Sequence, residues 1–216
     1  MSHPDDPRPS SDLAFTPAVK AEQSRRGSRA MFQALEDQGG WESRITPFLR
    51  DFIATQNSLF LASASADGQP YVQHRGGPAG FVQVIDAHTL GFADFSGNRQ
   101  YITLGNLSEN PRVQLFLVDY ARRRRVKVWG TATVVTREAD PGLVERLRPP
   151  RFQGEPLQAI VIRVLAWDRN CSQHIPQRFE AGEVEAALAA RDARIAELQA
   201  EIARLRALAG PDGTSA

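Results

Sequence analysis

The sequence predicts a mainly β fold, an antiparallel barrel of six or seven short strands with helices on either side. Three observations lead to this class. Apolar and polar residues alternate in segments between about residues 58 and 167, and turn formers such as Asp67-Gly68 join several of these segments as hairpins. A seven-residue apolar repeat occupies the C-terminal end. The 216 residues, 42% of them hydrophobic, suffice for one domain with a single core.

The first quarter of the chain is predicted to be mostly helical. Residues 1–14 are polar and rich in proline, which predicts a disordered tail. Residues 15–44 are expected to form a helical arm, in which one helix spans Pro17–Asp37 and ends at Gly39-Gly40. Thr46-Pro47 is typical of the start of a shorter helix, with threonine as the cap and proline at the first helical position.

The barrel is predicted from segments in which apolar residues recur at every second position. The expected strands are Ser58–Ala66, Pro70–Arg75, Phe81–Asp86, Thr89–Asp94, Val113–Asp119, Val126–Thr136 and Gln158–Trp167. This alternation is typical of strands that bury one face. A short helix is expected at Asp140–Arg148, between the last two strands. Because most neighbouring strands are joined by hairpins, we expect the barrel to be antiparallel.

Residues 181–209 are predicted to form a long helix with a heptad seam, followed by a tail, 210–216. One seam position holds Leu188, Ile195 and Ile202, and the other holds Leu198 and Leu205 after an interruption at Arg191. A helix that is polar outside its seam needs a surface against which the seam can be buried. It can pack on its own barrel or pair with a second copy, and we expect a coiled coil in a dimer.

Composition argues against several classes of protein. The 26 basic and 25 acidic residues nearly cancel, so neither nucleic acid nor a membrane is an expected partner, and Arg122–Arg125 is interpreted as a solvated hairpin turn rather than an RNA or DNA contact. The single cysteine, Cys171, excludes an internal disulfide and a multi-cysteine metal site, and a structural role is expected for it. No metal site is expected. The N-terminus lacks the apolar stretch of a secretory signal, so a cytoplasmic protein is expected.

Two segments carry groups that suit a ligand. Phe92–Tyr101 offers a hydroxyl, a glycine backbone, amides and Arg99 between a strand and a helix, which suits a phosphate. Its serine, glycine and asparagine are equally typical of a plain turn. Gln73–Gly77 offers an amide, a histidine and a cation at a strand end, which suits the edge of a planar heteroaromatic ring. A polar strand end followed by a glycine loop is the alternative there.

Five short motifs occur in an order that is similar to one known family. They are Ala66–Tyr71, Gln73–Arg75, Phe92–Gln100, Asn110–Val113 and Val126–Gly130. Over roughly residues 45–180 they resemble the FMN-binding split-barrel family of pyridoxamine 5'-phosphate oxidase, and more closely a bacterial subgroup of flavoproteins than the oxidase itself. The resemblance implies a split β-barrel and a homodimer with two FMN sites, each built from both chains.

The resemblance also assigns cofactor-binding residues. They are Gln73, His74, Arg75, Gly76, Ala93, Asp94, Asn98, Arg99, Gln100, Arg125, Trp167 and Arg178. Several positions depart from the oxidase, with Gln73 in place of an arginine, Gln100 in place of a phosphate-binding lysine, and Pro78 in place of a lysine for the pyridoxal substrate. The segment Gln173–Gln177 and the region after Arg148 also differ from the substrate pocket of the oxidase. FMN binding is therefore expected, and vitamin B6 oxidation is not.

The function implied is that of an FMN-dependent oxidoreductase, which passes hydride or electrons between an external donor and a small-molecule acceptor. Arg75 is expected to stabilise the reduced flavin. His174 is the candidate proton donor, since imidazole exchanges protons near neutral pH, although a loop histidine with a structural partner is the competing interpretation. Two other functions stay open, a haem protein that uses His74, His88 or His174, and a flavin carrier or sensor without turnover.

Overall fold

The computed structural model describes residues 8–150, 154–170 and 173–209, and within these ranges it contains seven β-strands and six α-helices. The strands are β1 (Ser58–Ala64), β2 (Pro70–Gly76), β3 (Gln83–Asp86), β4 (Thr89–Asp94), β5 (Arg112–Asp119), β6 (Arg124–Thr136) and β7 (Gln158–Asn170). The helices are α1 (Pro17–Arg25), α2 (Arg29–Glu36), α3 (Pro47–Ala54), α4 (Ile102–Glu109), α5 (Pro141–Arg146) and α6 (Ala181–Ala209). The expected fold class, an antiparallel split barrel with flanking helices, is confirmed.

The sheet is curled so that its two ends approach each other. Its strand order is β2-β1-β5-β6-β7-β4-β3, which places four strands between β2 and β4. The Arg75 guanidinium of β2 nevertheless forms a salt bridge of 2.5 Å with the Asp94 carboxylate of β4. Two strands so far apart in the order can meet only if the sheet closes on itself. In the described chain, this side-chain contact bridges the gap that the backbone ladder leaves open.

The core fills the inside of the curled sheet because alternate residues of each strand point inward. In β1, Leu59 and Leu61 are buried, whereas Phe60 between them is 38% exposed. Helix α3 adds Leu49 and Phe52 to the same buried cluster. The alternation that predicts the strands therefore also predicts which of their side chains form the core.

The predicted start of α3 is confirmed in detail. Pro47 occupies the first turn, and the Thr46 hydroxyl accepts a hydrogen bond from the Leu49 N–H at 3.4 Å. Helix α1 begins in the same way, with the Thr16 hydroxyl accepting from the Val19 N–H at 3.3 Å. Such caps satisfy N–H groups that the first turn of a helix leaves without partners.

The helical arm differs from the single helix predicted for Pro17–Asp37. Two helices, α1 and α2, replace it, because Gly27 adopts a left-handed φ of 80° between them. Part of the tail differs as well, since Ser10–Leu13 forms a short 3-10 helix where disorder is expected, whereas residues 1–7 of that tail lie outside the described residues. The third predicted strand begins at Gln83 rather than at Phe81, which is buried in the core just before β3.

The chain divides into two compact units, one containing the barrel and the other containing α6 together with Tyr120–Arg123, the turn between β5 and β6. The expected long C-terminal helix is confirmed as α6. Cys171 lies outside the described residues, as does the tail after residue 209. Among the described helices, none is long and apolar enough to cross a membrane.

We predict that Arg75 and Asp94 stabilise the fold as a pair. Replacing one partner leaves the other as a largely buried, unpaired group, so Arg75→Gln and Asp94→Asn should each lower the free energy of unfolding by about 2 kcal/mol. The double variant should lose less than the sum, with a coupling of about 1 kcal/mol. Urea unfolding of the four proteins measures the coupling.

The exposed pair Arg25–Glu22 of α1, at 2.5 Å, provides the control for this cycle. Both of its side chains are more than half exposed, so a coupling well below that of Arg75 and Asp94 is expected. Strictly additive losses at Arg75 and Asp94 would show that the barrel does not depend on their contact.

Candidate functional site

A cavity of about 180 Å³ lies where the two ends of the sheet approach each other. Strands β2 and β4, the loop after β4 and the first turn of α4 line it. The lining residues are Tyr71, Gln73, Arg75, Asp94, Phe95, Ser96, Gly97, Asn98, Arg99, Gln100, Tyr101, Ile102, Thr103 and Leu104. The three from β2 are two positions apart because alternate side chains of a strand share a face.

Asp94 is the only carboxylate among the residues that line this cavity. Its side chain is 6% exposed. One carboxylate oxygen accepts a hydrogen bond from the Arg75 guanidinium at 2.5 Å, and the other accepts from the Gln158 side-chain amide at 2.9 Å. Both oxygens are thus engaged, and the guanidinium is held in place.

One hydrogen-bond donor of the Arg75 side chain is unpaired in the described chain. Its Nε is buried and has no hydrogen-bond partner among the described residues. A buried N–H without an acceptor costs free energy, so this atom favours a ligand that brings an acceptor next to it.

The wall formed by β2 is polar and internally hydrogen-bonded. The Tyr71 hydroxyl donates to the side-chain oxygen of Gln73, and the Gln73 amide nitrogen donates to the His74 carbonyl at 3.2 Å. These bonds fix the orientation of the Gln73 amide, which lines the cavity two residues from Arg75. The wall therefore offers fixed polar groups rather than a mobile surface.

The loop between β4 and α4 has a left-handed backbone at every second residue. The φ angles are 48° at Gly97, 59° at Arg99 and 55° at Tyr101. For each of the two non-glycine residues, this conformation costs about 1 kcal/mol. Left-handed residues that alternate with ordinary ones can turn N–H groups to one side, as in backbone sites that bind anions. In this loop the Arg99 N–H already donates to the Ser96 carbonyl at 3.2 Å, so the Arg99 side chain and the start of α4 are the groups left for an anion.

The same loop contains the turn that its composition favours. The Asn98 side-chain oxygen accepts from the Gln100 N–H at 3.1 Å, and the Asn98 amide nitrogen donates to the Gln100 side chain at 3.2 Å. The side chains of Asn98 and Gln100 therefore stabilise the turn that presents Arg99.

Helix α4 begins at the cavity without a capping side chain of its own. Tyr101 occupies the cap position, and its side chain makes no capping hydrogen bond in the described structure. The next three residues, 102–104, line the cavity. The partial positive charge of the helix N-terminus therefore lies beside it and favours an anion there.

Arg99 gives the cavity its net positive charge. The charge of Arg75 is balanced by Asp94, whereas Arg99 is exposed and has no carboxylate partner within the described chain. One guanidinium next to an uncapped helix start is suited to a phosphate or a carboxylate, because its N–H groups can grip two oxygens at once.

Half of the predicted cofactor residues meet at this cavity, and the others lie elsewhere. Those that meet are Gln73, Arg75, Asp94, Asn98, Arg99 and Gln100. His74 and Gly76 alternate with them on β2, and the His74 ring packs edge-on against Phe60 at 5.6 Å. Ala93 is buried in a small apolar cluster that also contains Val144 of α5.

Trp167 has a structural position. It is 7% exposed, its indole N–H donates to the Arg44 carbonyl at 2.9 Å, and its ring stacks on Phe48 at 5.9 Å. These contacts attach α3 and the segment before it to β7. The indole N–H therefore already has an acceptor within the chain and is not a free donor for a cofactor.

Three further predicted residues lie on the later part of the chain. Arg125, near the start of β6, has a buried Nε without a partner among the described residues. Arg178 belongs to the unit that contains α6, and its guanidinium lies 4.7 Å from the centre of the Tyr120 ring. His174 is exposed and has a left-handed φ of 61°.

Sequence reasoning missed Tyr71, Thr103 and Gln158. Tyr71 carried a usable signal, because it lies two residues before Gln73 on the same strand face. Thr103 lies in the first turn of the helix that follows the predicted phosphate segment. Gln158 had no local signal, since its contact with Asp94 spans 64 residues.

Several solved structures have a similar fold. HupZ from Group A Streptococcus is 21% identical, with 62% of this chain and 99% of that chain covered and a TM-score of 0.49. An FMN-binding protein from Syntrophomonas wolfei is 12% identical, with coverage of 70% and 96% and a TM-score of 0.44. General stress protein 26 from Bacillus anthracis is 16% identical, with coverage of 56% and 92% and a TM-score of 0.41. At these identities the similarity concerns the fold alone.

A comparison with curated proteins found no match. A family model described as pyridoxamine 5'-phosphate oxidase matches residues 45–167, more than half of the chain. The matched range includes every residue that lines the cavity. The resemblance carried by the five sequence motifs is thereby confirmed, and the chain belongs to the pyridoxamine 5'-phosphate oxidase family.

Proposed function

We propose that this chain binds FMN and acts as an oxidoreductase, passing hydride or electrons between an external donor and a small-molecule acceptor. The observation that carries the proposal is the junction of an anion-binding backbone, residues 97–104, with the polar wall of β2 in one cavity. A phosphate joined to a polar, planar ring is a ligand that uses both features. Membership of the family supports the same cofactor.

The phosphate would bind at the start of α4. The left-handed loop and the helix dipole favour an anion there, and Arg99 can add charge-assisted hydrogen bonds. Gln100 stands where the family resemblance predicts a lysine, so Arg99 is the principal cation for the phosphate. The turn held by Asn98 presents that guanidinium.

The ring system would lie along β2. Gln73 and Arg75 offer hydrogen-bonding groups that are already oriented, and the free Nε of Arg75 can donate to an acceptor at the ring edge. When bound, FMN supplies the redox chemistry through its isoalloxazine ring. Asp94 keeps Arg75 neutralised and oriented. Arg75 therefore acts more as a positioned donor than as a free positive charge.

A second copy is part of the proposal. The cavity of about 180 Å³ is smaller than the roughly 300–1,000 Å³ typical of pockets for small molecules, so one chain covers only part of FMN. In the proposed homodimer, the second copy completes each site. Arg125 and Arg178 are the candidates for its contribution, as the family resemblance implies. The buried, unpartnered Nε of Arg125 supports this role.

His174 is the proposed proton donor, because it is an exposed imidazole within Gln173–Gln177, the segment that by family resemblance closes over the flavin face. The substrate is proposed to differ from that of the oxidase. Pro78 replaces the lysine expected for a pyridoxal phosphate substrate, which removes a charge that would grip its phosphate.

The first prediction concerns the cofactor itself. Purified protein, or protein incubated with FMN and then desalted, should show the visible absorbance of oxidised flavin, and phosphodiesterase treatment should leave that cofactor unchanged because FMN has no pyrophosphate bond. A Soret band would instead support haem. A colourless protein that also fails to bind added FMN would overturn the proposal, and bound FMN without turnover with NAD(P)H and common acceptors would support a carrier.

The second prediction assigns the phosphate contact to Arg99. Arg99→Ala should weaken FMN binding by about 10- to 100-fold, since a charge-assisted hydrogen bond contributes about 1.5–3 kcal/mol. Riboflavin binding should change little, because riboflavin lacks the phosphate. Titration with both ligands by flavin fluorescence measures the difference. The control is Arg50→Ala, which removes an exposed arginine from α3 outside the cavity. Equal weakening of both ligands by Arg99→Ala would place the phosphate elsewhere.

A further inference from the structure

Helix α6 exposes an apolar seam along most of its length. The seam consists of Val184, Leu188, Ile195, Leu198, Ile202 and Leu205, and each of these side chains is between 42% and 51% exposed. The helix has 29 residues and is therefore about 44 Å long. So long a helix with an unburied seam gains little from packing within the chain, which favours an intermolecular partner.

The seam has the spacing of a coiled coil. In heptad notation, position a holds Leu188, Ile195 and Ile202, and position d holds Val184, Arg191, Leu198 and Leu205. We propose that α6 pairs with α6 of a second copy of this chain, and that the two helices run antiparallel. Unlike the FMN site, this contact depends on no cofactor.

Arg191 decides against a parallel pair. In a parallel dimer each d residue faces the same residue of the partner helix, so two Arg191 guanidinium groups would meet in the seam. In an antiparallel dimer, a residues face d residues instead. Arg191 then faces Ile202 of the second copy, and its aliphatic stem can cover that side chain while the charge reaches water.

One antiparallel register pairs the apolar seam residues of one α6 with those of the second copy along the helix. It places Leu188 opposite Leu205 of the second copy and Ile195 opposite Leu198 of the second copy, and the two-fold symmetry repeats each contact. The centre lies between Ala196 and Glu197, close to the middle of α6. The two helices therefore overlap over nearly their full length.

The residues beside the seam are complementary in this register. Arg194 faces Glu201 of the second copy, and Glu185 faces Arg206 of the second copy, each pair occurring twice. Leu208, which is 72% exposed, faces Ala187 of the second copy and extends the apolar contact. A parallel pair would match only Glu201 with Arg206. Charge pattern and seam thus favour the same arrangement.

Disulfide formation between full-length chains tests the orientation. In a Cys171→Ser background, which removes the native thiol, Leu188→Cys and Leu205→Cys are prepared as separate proteins. When mixed and mildly oxidised, they should form the mixed 188–205 disulfide between two chains, as identified by peptide mass spectrometry. Each protein alone should form little disulfide-linked dimer.

Self-crosslinking of either single variant would overturn the antiparallel arrangement, because it requires like residues to face each other. The absence of any interchain disulfide would overturn pairing altogether and would be the result if α6 packed on its own barrel. Flavin content is measured separately, so neither outcome depends on whether the protein binds FMN.

Charge reversal provides a second, independent arm. Introduced into both cysteine variants, Arg194→Glu should slow mixed-disulfide formation by roughly ten-fold, because it sets two carboxylates against each other at two places. Adding Glu201→Arg should restore the rate, since the opposite charges face each other again. The control Ala200→Glu, an exposed position on the face of the helix opposite the seam, should leave the rate within about two-fold. A failure of Glu201→Arg to restore the rate would contradict the proposed register.

Discussion

The salt bridge between Arg75 and Asp94 is the contact that joins the two ends of the sheet and forms part of the candidate site. It joins strands that are far apart in the sheet, so it marks the place where the curled sheet meets itself. The cavity lies at that same place because the backbone ladder does not continue across the gap. The Arg75–Asp94 contact holds β2 and β4 together and leaves the cavity open beside it. Continuous backbone hydrogen bonding between the two strands would have closed that cavity.

Positive φ angles of non-glycine residues occur in the loop that borders this gap. Arg99 and Tyr101 are two of the four described non-glycine residues with positive φ, and both lie in the loop that leads into α4. Local hydrogen bonds offset part of this cost, since the Arg99 N–H donates to the Ser96 carbonyl at 3.2 Å and the Gln100 N–H donates to the Asn98 side chain at 3.1 Å. A ligand held by the Arg99 guanidinium would offset more of it. The uncapped start of α4 supports the same explanation, since a bound anion would replace the missing cap.

Much of the fold follows from local sequence rules, and the exceptions have physical causes. The strands and the α3 cap were predictable because period-two alternation and Thr46-Pro47 act over a few residues. The break at Gly27 was missed because residues 22–29 hold no apolar side chain that could mark where one helix ends and the next begins. In the candidate site, the turn between β4 and α4 was predictable from its serine, glycine and asparagine. The contact of Gln158 with Asp94 was not, since it links residues that only the folded sheet brings together.

Both units of the chain are incomplete in ways that a second copy can remedy. The cavity of about 180 Å³ is smaller than typical small-molecule pockets, and the seam residues of α6 are each more than 40% exposed. In the proposed two-fold dimer every surface of the chain would occur twice. Residues of the second copy would then line the rest of the cavity and cover the seam. The near balance of 26 basic and 25 acidic residues removes the long-range repulsion that would oppose such pairing. In that dimer Arg191 would set the orientation of α6, because a parallel pair would place Arg191 against Arg191 of the second copy in an apolar seam.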